Sequence, residues 1–255
     1  MPIIPIADQN PTLVIHKPWV TWGLIATCVA MFWVQSLSGD QGGLELIYGL
    51  GVIPSTLVGQ ASLPPEIALL PPVATLGTHG VLHGSMMHLV SNMLFLWVFG
   101  DNVEDAMGHL RFFVFYMICG SIAALSHVLW VPLSHVPMIG ASGAISGVLG
   151  AYLLLHPRAK VLVPIYFIPI TIPAWLMLLG WIGLQFYSVV IAPHDPAGGG
   201  VAWLSHIGGF IAGLLLVTLF RNKTLPLLGR DDLPSGLTLR DRARWQNMEQ
   251  KRQKR

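Results

Sequence analysis

Residues 201–220 read VAWLSHIGGFIAGLLLVTLF, twenty residues without a single Lys, Arg, Asp or Glu. As a helix rising 1.5 Å per residue this run is about 30 Å long, the thickness of a bilayer's hydrocarbon core. Five further apolar runs precede it, near 20–37, 85–100, 112–131, 141–156 and 171–192. None alternates as a barrel strand does. The chain therefore reads as all-α: a polytopic membrane protein of six transmembrane helices, with a long outer loop at 38–84 between the first two. The second and fourth runs are short for a span, so their ends are expected in the neighbouring segments that contain Gly and His. Trp19, Trp22 and Trp33 near the ends of the first run suit the interfacial anchors of a retained helix better than a secretory signal.

Composition points the same way. The 255 residues are 53% hydrophobic and 10% charged, where soluble domains carry about 25% charge. Too few ionic groups remain to cover a water-facing surface, which excludes a soluble enzyme, a disordered chain and a nucleic-acid binder. Lipid is the expected surroundings. Charge is also split, because residues 221–255 hold ten Lys/Arg against four Asp/Glu while the remainder holds four against eight. With the N-terminus inside, all 14 Lys/Arg fall in cytoplasmic segments, as the positive-inside rule requires. The expected organisation is a cytoplasmic segment 1–19, a membrane domain 20–220 and a basic cytoplasmic tail 221–255. Within that tail, Arg240 to Arg255 reads either as a basic helix against anionic lipid of the inner leaflet or as a solvated strand of chain. Leu46 to Val58 and Ile67 to Leu82 are too apolar for water yet broken by Gly and Pro, so the outer loop is expected to be partly embedded. Cys28 and Cys119, both inside apolar runs, read as small buried hydrophobes.

Three constellations carry possible chemistry. Gly140-Ala141-Ser142-Gly143 opens the fourth run, with Ala144, Ile145, Ser146 and Gly147 following. Small residues serve helix contacts in membranes, but Ser142 stands where the outer loop enters the helix, and free N–H groups at a helix start suit a developing oxyanion. In the sixth run His206 is an ionisable group inside an otherwise uncharged span, which is a functional hypothesis by default. Gly143 and Gly147 on one helix, and Gly209 and Gly213 on the other, form small-residue faces that let the two helices approach. Neutral imidazole is the base suited to activate a serine near pH 7. No acidic residue occurs in runs four to six, Asp195 being in the loop, so the residues offer a dyad with no third member. The third constellation is His83, His88 and Asn92. His88 and Asn92 lie one turn apart at the outer end of the second run, where polar donors can hold an oxyanion or simply join helices. The spacing of His79, His83 and His88 also allows a zinc site, though no Glu or Cys accompanies them; no metal and no cofactor is expected.

Taken together, these motifs resemble the rhomboid family of intramembrane serine proteases. The likeness covers about residues 75–215: the HxxxN pair as His88 and Asn92, Phe99-Gly100 with Glu104, Gly108 to Tyr116, the GxSG as Gly140 to Gly143, and HxxGxxxG as His206 to Gly213. It implies a six-helix rhomboid-like bundle, a Ser142/His206 dyad, an oxyanion hole from His88, Asn92 and the Ser142 backbone N–H, and cleavage of membrane-protein substrates near the outer face. It also implies a multi-pass protein, taken here as one of a bacterial cytoplasmic membrane. Three departures stand out. Ser146 occupies a position where members often carry an aromatic stacked on the histidine, the Trp-Arg pair of the first outer loop is missing from 38–84, and Ser205 replaces a frequent Ala.

Two other classes compete with an active protease. A catalytically silent relative that binds or retains membrane clients needs neither Ser142 nor His206, and a proton-relay transporter predicts inverted repeats and acidic groups along a path. On the topology read from Lys and Arg, reporter fusions placed after Lys17 and after Arg221 should both report the cytoplasm. An external signal from either overturns that topology.

Overall fold

The computed structural model describes residues 5–10, 12–165, 168–191, 201–223 and 227–228. Arg240–Arg255 of the tail, and Asp195, lie outside them. The chain is mostly helical. Its long helices are α1 (Trp19–Leu37), α5 (Met86–Met107), α6 (His109–Trp130), α7 (Ser142–Leu155), α8 (Ala174–Ile191) and α9 (Trp203–Phe220). Between α1 and α5 come α2 (Gly39–Leu50) and the single turns α3 (Pro54–Leu57) and α4 (Thr75–Thr78). Among the described residues α1, α6, α8 and α9 are long and apolar enough to cross a bilayer. Residues 72–81 and α5, bent by 83° at their break, add a fifth span if counted together. The fourth expected run, α7, has 14 residues.

Helix α7 can be short because protein surrounds it. Every residue from Gly143 to Tyr152 is buried, as befits a helix apolar on all sides. It packs against α9, α6 and α5, and the contact with α9 is backbone on backbone. A Cβ on Gly213 would collide with the Gly147 carbonyl, and one on Gly209 with the Gly143 carbonyl. On the other side a Cβ on Gly147 would stand 2.5 Å from the Cβ of Cys119 in α6. These helices meet where side chains end, which places the start of α7 beside the start of α9.

Helix α5 runs seven residues beyond the expected end at 100. Acidic residues closed the apolar run there, but the fold uses them as caps and so the helix continues. Glu104, fully buried, accepts hydrogen bonds from Val20 N (3.0 Å), Thr21 N (2.8 Å) and Thr21 Oγ1 (2.7 Å), and also pairs with His109. Its carboxylate thus meets the positive end of α1, whose first N–H groups have no carbonyl one turn back. Asp105 accepts from the backbone N–H groups of Leu13, Val14 and Ile15 at 2.7–2.8 Å. Asp8 accepts from Tyr152 Oη (2.6 Å) and Asn102 Nδ2 (3.0 Å), and burial pushes its carboxyl up to about 7.

A small antiparallel sheet is the main element not foreseen. Strands β1 (Ala7–Asp8), β2 (Lys160–Ile165) and β3 (Ile168–Pro173) lie in that order, with Ala7 opposite Leu162 and Lys160 opposite Pro173. Val161 and Val163 point to the core with no exposure, while Lys160 is exposed, the period of two that a half-buried strand needs. The hairpin joins α7 to α8, and β1 ties the N-terminal segment to it.

Segment 38–84 is more ordered than a plain loop. Val52 and Met138 exchange backbone hydrogen bonds (3.0 and 2.7 Å), Ser55 N donates to Ser134 O (3.0 Å), and Ser55 Oγ meets His135 Nδ1 at 3.0 Å. Gln35 of α1 brackets the His83 backbone, donating to its carbonyl and accepting from its N–H at 3.3 and 3.2 Å. The glycine contacts of α7 yield a paired expectation. Gly213→Ala should destabilise the protein by about 1–3 kcal/mol or more, since the colliding atom is backbone. Gly23→Ala in α1, where nothing lies within 4 Å of the added carbon, should be neutral or stabilising. Thermal unfolding in detergent reads both; equal midpoints would refute the backbone contact.

Candidate functional site

Ser142 is the first residue of α7, with Ala141 as its cap. No carbonyl of the helix lies one turn back from the N–H groups of Ser142 and Gly143, the first intrahelical bond near them being Ile145 N to Ala141 O (3.0 Å). His206 lies in the first turn of α9 and is 8% exposed. Its Nε2 stands 2.8 Å from Ser142 Oγ. The glycine contact of α7 with α9 begins one residue further on, so the separation of hydroxyl and imidazole is set by two backbones in touch.

The other imidazole nitrogen has a partner that the sequence did not suggest. Nδ1 of His206 stands 2.8 Å from Oε1 of Gln185 in α8, a side chain only 3% exposed. Two indoles flank the ring: Trp181 of α8 at 5.8 Å between centroids and 37° between planes, and Trp203 at 6.1 Å and 83°. The one signal available for Gln185 was a polar residue in an otherwise apolar run. It continues the buried stripe of α8 that passes through Met177, Leu178 and Ile182.

His88 and Asn92 come from the first two turns of α5, which Ser85 caps by accepting from His88 N at 3.2 Å. Both face Gly140: a Cβ there would lie 2.7 Å from His88 Nε2 and 3.8 Å from Asn92 Nδ2. Gly140 has φ +118°, a region that side chains rarely enter, and its N–H donates to His79 O at 2.9 Å. Two residues before Ser142, this turn sets His88 and Asn92 beside the start of α7. Asn92 Nδ2 is buried without a hydrogen-bond partner among the described residues, as are both ring nitrogens of His83, whose ring packs edge-on to His88 at 5.1 Å. Such buried polar atoms are costly unless a hydrogen-bond partner meets them. His79 bonds the Thr75 carbonyl through Nδ1 (3.2 Å). Among the described residues no three His, Cys, Asp or Glu side chains converge as metal ligands do.

A family model described as the rhomboid domain matches residues 72–223, more than half of the chain. The chain belongs to the rhomboid family. It is 31% identical over 199 residues to the rhomboid protease GluP of Bacillus subtilis (strain 168), an alignment covering 77% of this chain and 34% of that protein. It is 34% identical over 137 residues to the mitochondrial rhomboid protein 1 of Saccharomyces cerevisiae, covering 52% and 38%. With the rhomboid protease GlpG of Photorhabdus laumondii it shares 27% over 139 residues, covering 54% and 44%. The chain spans half or less of the length of these curated relatives.

Set against the rhomboid pattern, each departure has a local counterpart. Ser146 Oγ donates to the Ser142 carbonyl (2.6 Å), and Trp181 and Trp203 flank the imidazole in place of an aromatic at 146. Segment 38–84, without its Trp-Arg pair, is fastened by the Val52–Met138 and Gln35–His83 bonds. Ser205 is buried with its Oγ against Gly143, 2.8 Å from where a Cβ there would stand. Gly140→Ala should cost about 1–3 kcal/mol from its strained φ and its overlap with the His88 ring. Unfolding in detergent measures the loss; an unchanged midpoint would show that the turn yields.

Proposed function

We propose that this rhomboid-family protein is an intramembrane serine endopeptidase that hydrolyses peptide bonds in or near transmembrane segments of other membrane proteins, close to the outer face. The observation that carries the reading is the 2.8 Å approach of His206 Nε2 to Ser142 Oγ at the open end of a buried helix. It is supported by the names of GluP and GlpG, both rhomboid proteases.

In this reading Ser142 Oγ attacks the scissile carbonyl carbon as its proton passes to Nε2 of His206. The carbonyl oxygen becomes an oxyanion, and the Ser142 N–H and the Asn92 and His88 side chains are the donors proposed to receive it. His206 then gives the proton to the departing amine, and a water, deprotonated by the same nitrogen, hydrolyses the acyl-enzyme. Neither metal nor cofactor has a role in these steps.

The partners are membrane-protein substrates and the bilayer itself. Both termini are assigned to the cytoplasmic side, with the dyad opening opposite. The matched relatives come from bacteria and from mitochondria, so the family establishes an integral membrane protein without choosing between those membranes. Anionic lipid of the inner leaflet is the partner proposed for the basic tail 221–255.

The two serines of the motif are separable by experiment. Ser142→Ala should abolish both labelling by a fluorophosphonate and proteolysis. Ser146→Ala should keep the label, because its hydroxyl is engaged by the Ser142 carbonyl. An adduct found by mass spectrometry on Ser146, or full proteolysis by Ser142→Ala, would reverse the assignment. A wild type that binds membrane clients but takes no label would favour a silent client-binding protein.

A further inference from the structure

The dyad reading leaves open how the imidazole is held with its bare nitrogen toward serine. A neutral imidazole has two tautomers, and only the one with hydrogen on Nδ1 presents a base at Nε2. In serine hydrolases with a triad a carboxylate makes that choice, and α7, α8 and α9 contain none. Gln185 stands in its place, with Oε1 2.8 Å from Nδ1 of His206.

An amide can face an imidazole with either its oxygen or its nitrogen, so the contact alone does not set the tautomer. A second hydrogen bond does. Gln185 Nε2 lies 3.2 Å from the carbonyl oxygen of Trp181, one turn earlier in α8. A carbonyl only accepts, so the amide must turn its NH₂ to Trp181 and its oxygen to His206. An oxygen only accepts as well, so Nδ1 must carry the hydrogen. Nε2 is then the unprotonated nitrogen, and the Ser142 hydroxyl is the donor in the 2.8 Å contact. The chain of donors and acceptors admits one arrangement from Trp181 to Ser142. Trp181 contributes twice, since its indole also lies along the imidazole at 5.8 Å.

We infer that Gln185 is a positioning residue for His206, its amide locked by the Trp181 carbonyl so that the imidazole keeps hydrogen on Nδ1 and offers Nε2 to Ser142. This rests on the dyad reading above and deepens it. Its effect belongs to the chemical step. When Nε2 takes the serine proton the ring becomes cationic, the Nδ1–H to Oε1 bond becomes charge-assisted, and it strengthens. Being neutral, the amide holds the ring without bringing a second buried charge, which a carboxylate among apolar helices would.

The test uses the purified full chain in detergent and a fluorophosphonate, with the inactivation rate constant at saturation separated from the reagent's binding constant. Gln185→Met, of similar length and without an acceptor oxygen, should slow the saturated rate roughly 10- to 100-fold and leave the binding constant unchanged. Gln185→Glu should recover most of the rate, because as the neutral acid it donates to the Trp181 carbonyl and accepts from Nδ1. Should Gln185→Met fail to fold, Gln185→Asn, one methylene too short to reach both partners, carries the same expectation of a slow step with normal binding. Wild-type rates in the folded Met or Asn variant overturn the role, and so does a Glu variant as slow as they are. A wild type that takes no label at Ser142 overturns the dyad and this role together. Failure of the role alone appears only in the variants, with the wild type labelled.

Discussion

Everything at the site depends on the contact between α7 and α9, where glycines press against carbonyl oxygens. Lipid tails are as apolar as leucine, so no hydrophobic force draws helices together inside a bilayer. Close approach has to come from shape and from hydrogen bonds. Gly209 over the Gly143 carbonyl and Gly213 over the Gly147 carbonyl supply the shape. The hydroxyl and the imidazole sit at the mouth of that contact, each within one turn of it, so their separation is inherited from backbone and not from flexible side chains. α6 closes the other side of α7 through Cys119, and the central helix has no lipid-facing residue between Gly143 and Tyr152.

The opposite end of the molecule solves a different problem. Buried carboxylates are costly in a fold of this kind, yet Glu104, Asp105 and Asp8 are each surrounded by donors: the start of α1, the backbone of residues 13–15, and Tyr152 with Asn102. Each replaces water with directed hydrogen bonds. The result is an N-terminal segment sewn to α5 and, through β1, to the hairpin that leads into α8. Because α8 carries Gln185 and Trp181, the same hairpin sets the base of the helix whose side chains contact the His206 ring of α9.

How legible this was depended on the kind of signal. His206 stood out because an ionisable group in an uncharged run of twenty residues demands a reason, and Ser142 because small residues and a serine gather at a helix start. The small-residue faces of α7 and α9 could be read from spacing alone. Gln185 could not, since a lone amide in an apolar helix says nothing about which side it faces, and its partner is 21 positions away in another helix. The strands at 160–173 were hidden for a related reason: a short run rich in Val, Ile and Pro between two longer apolar runs reads as a connection. The length of α5 was underestimated because Glu104 and Asp105 look like the end of a span until their donors, some eighty to ninety residues away, are known.

The hydroxyl of Ser146 reaches further than its own position. The Ser142 carbonyl already takes part in the helical ladder, and Ser146 Oγ adds a second, short bond to it at 2.6 Å. That carbonyl belongs to the same planar amide as the N–H of Gly143, and electron density drawn toward the oxygen leaves the nitrogen's hydrogen more positive. The second N–H of α7 is thereby made a stronger donor from behind, through a resonance link rather than through space. The serine that stands where an aromatic ring is frequent thus sharpens the positive potential at the mouth of the helix.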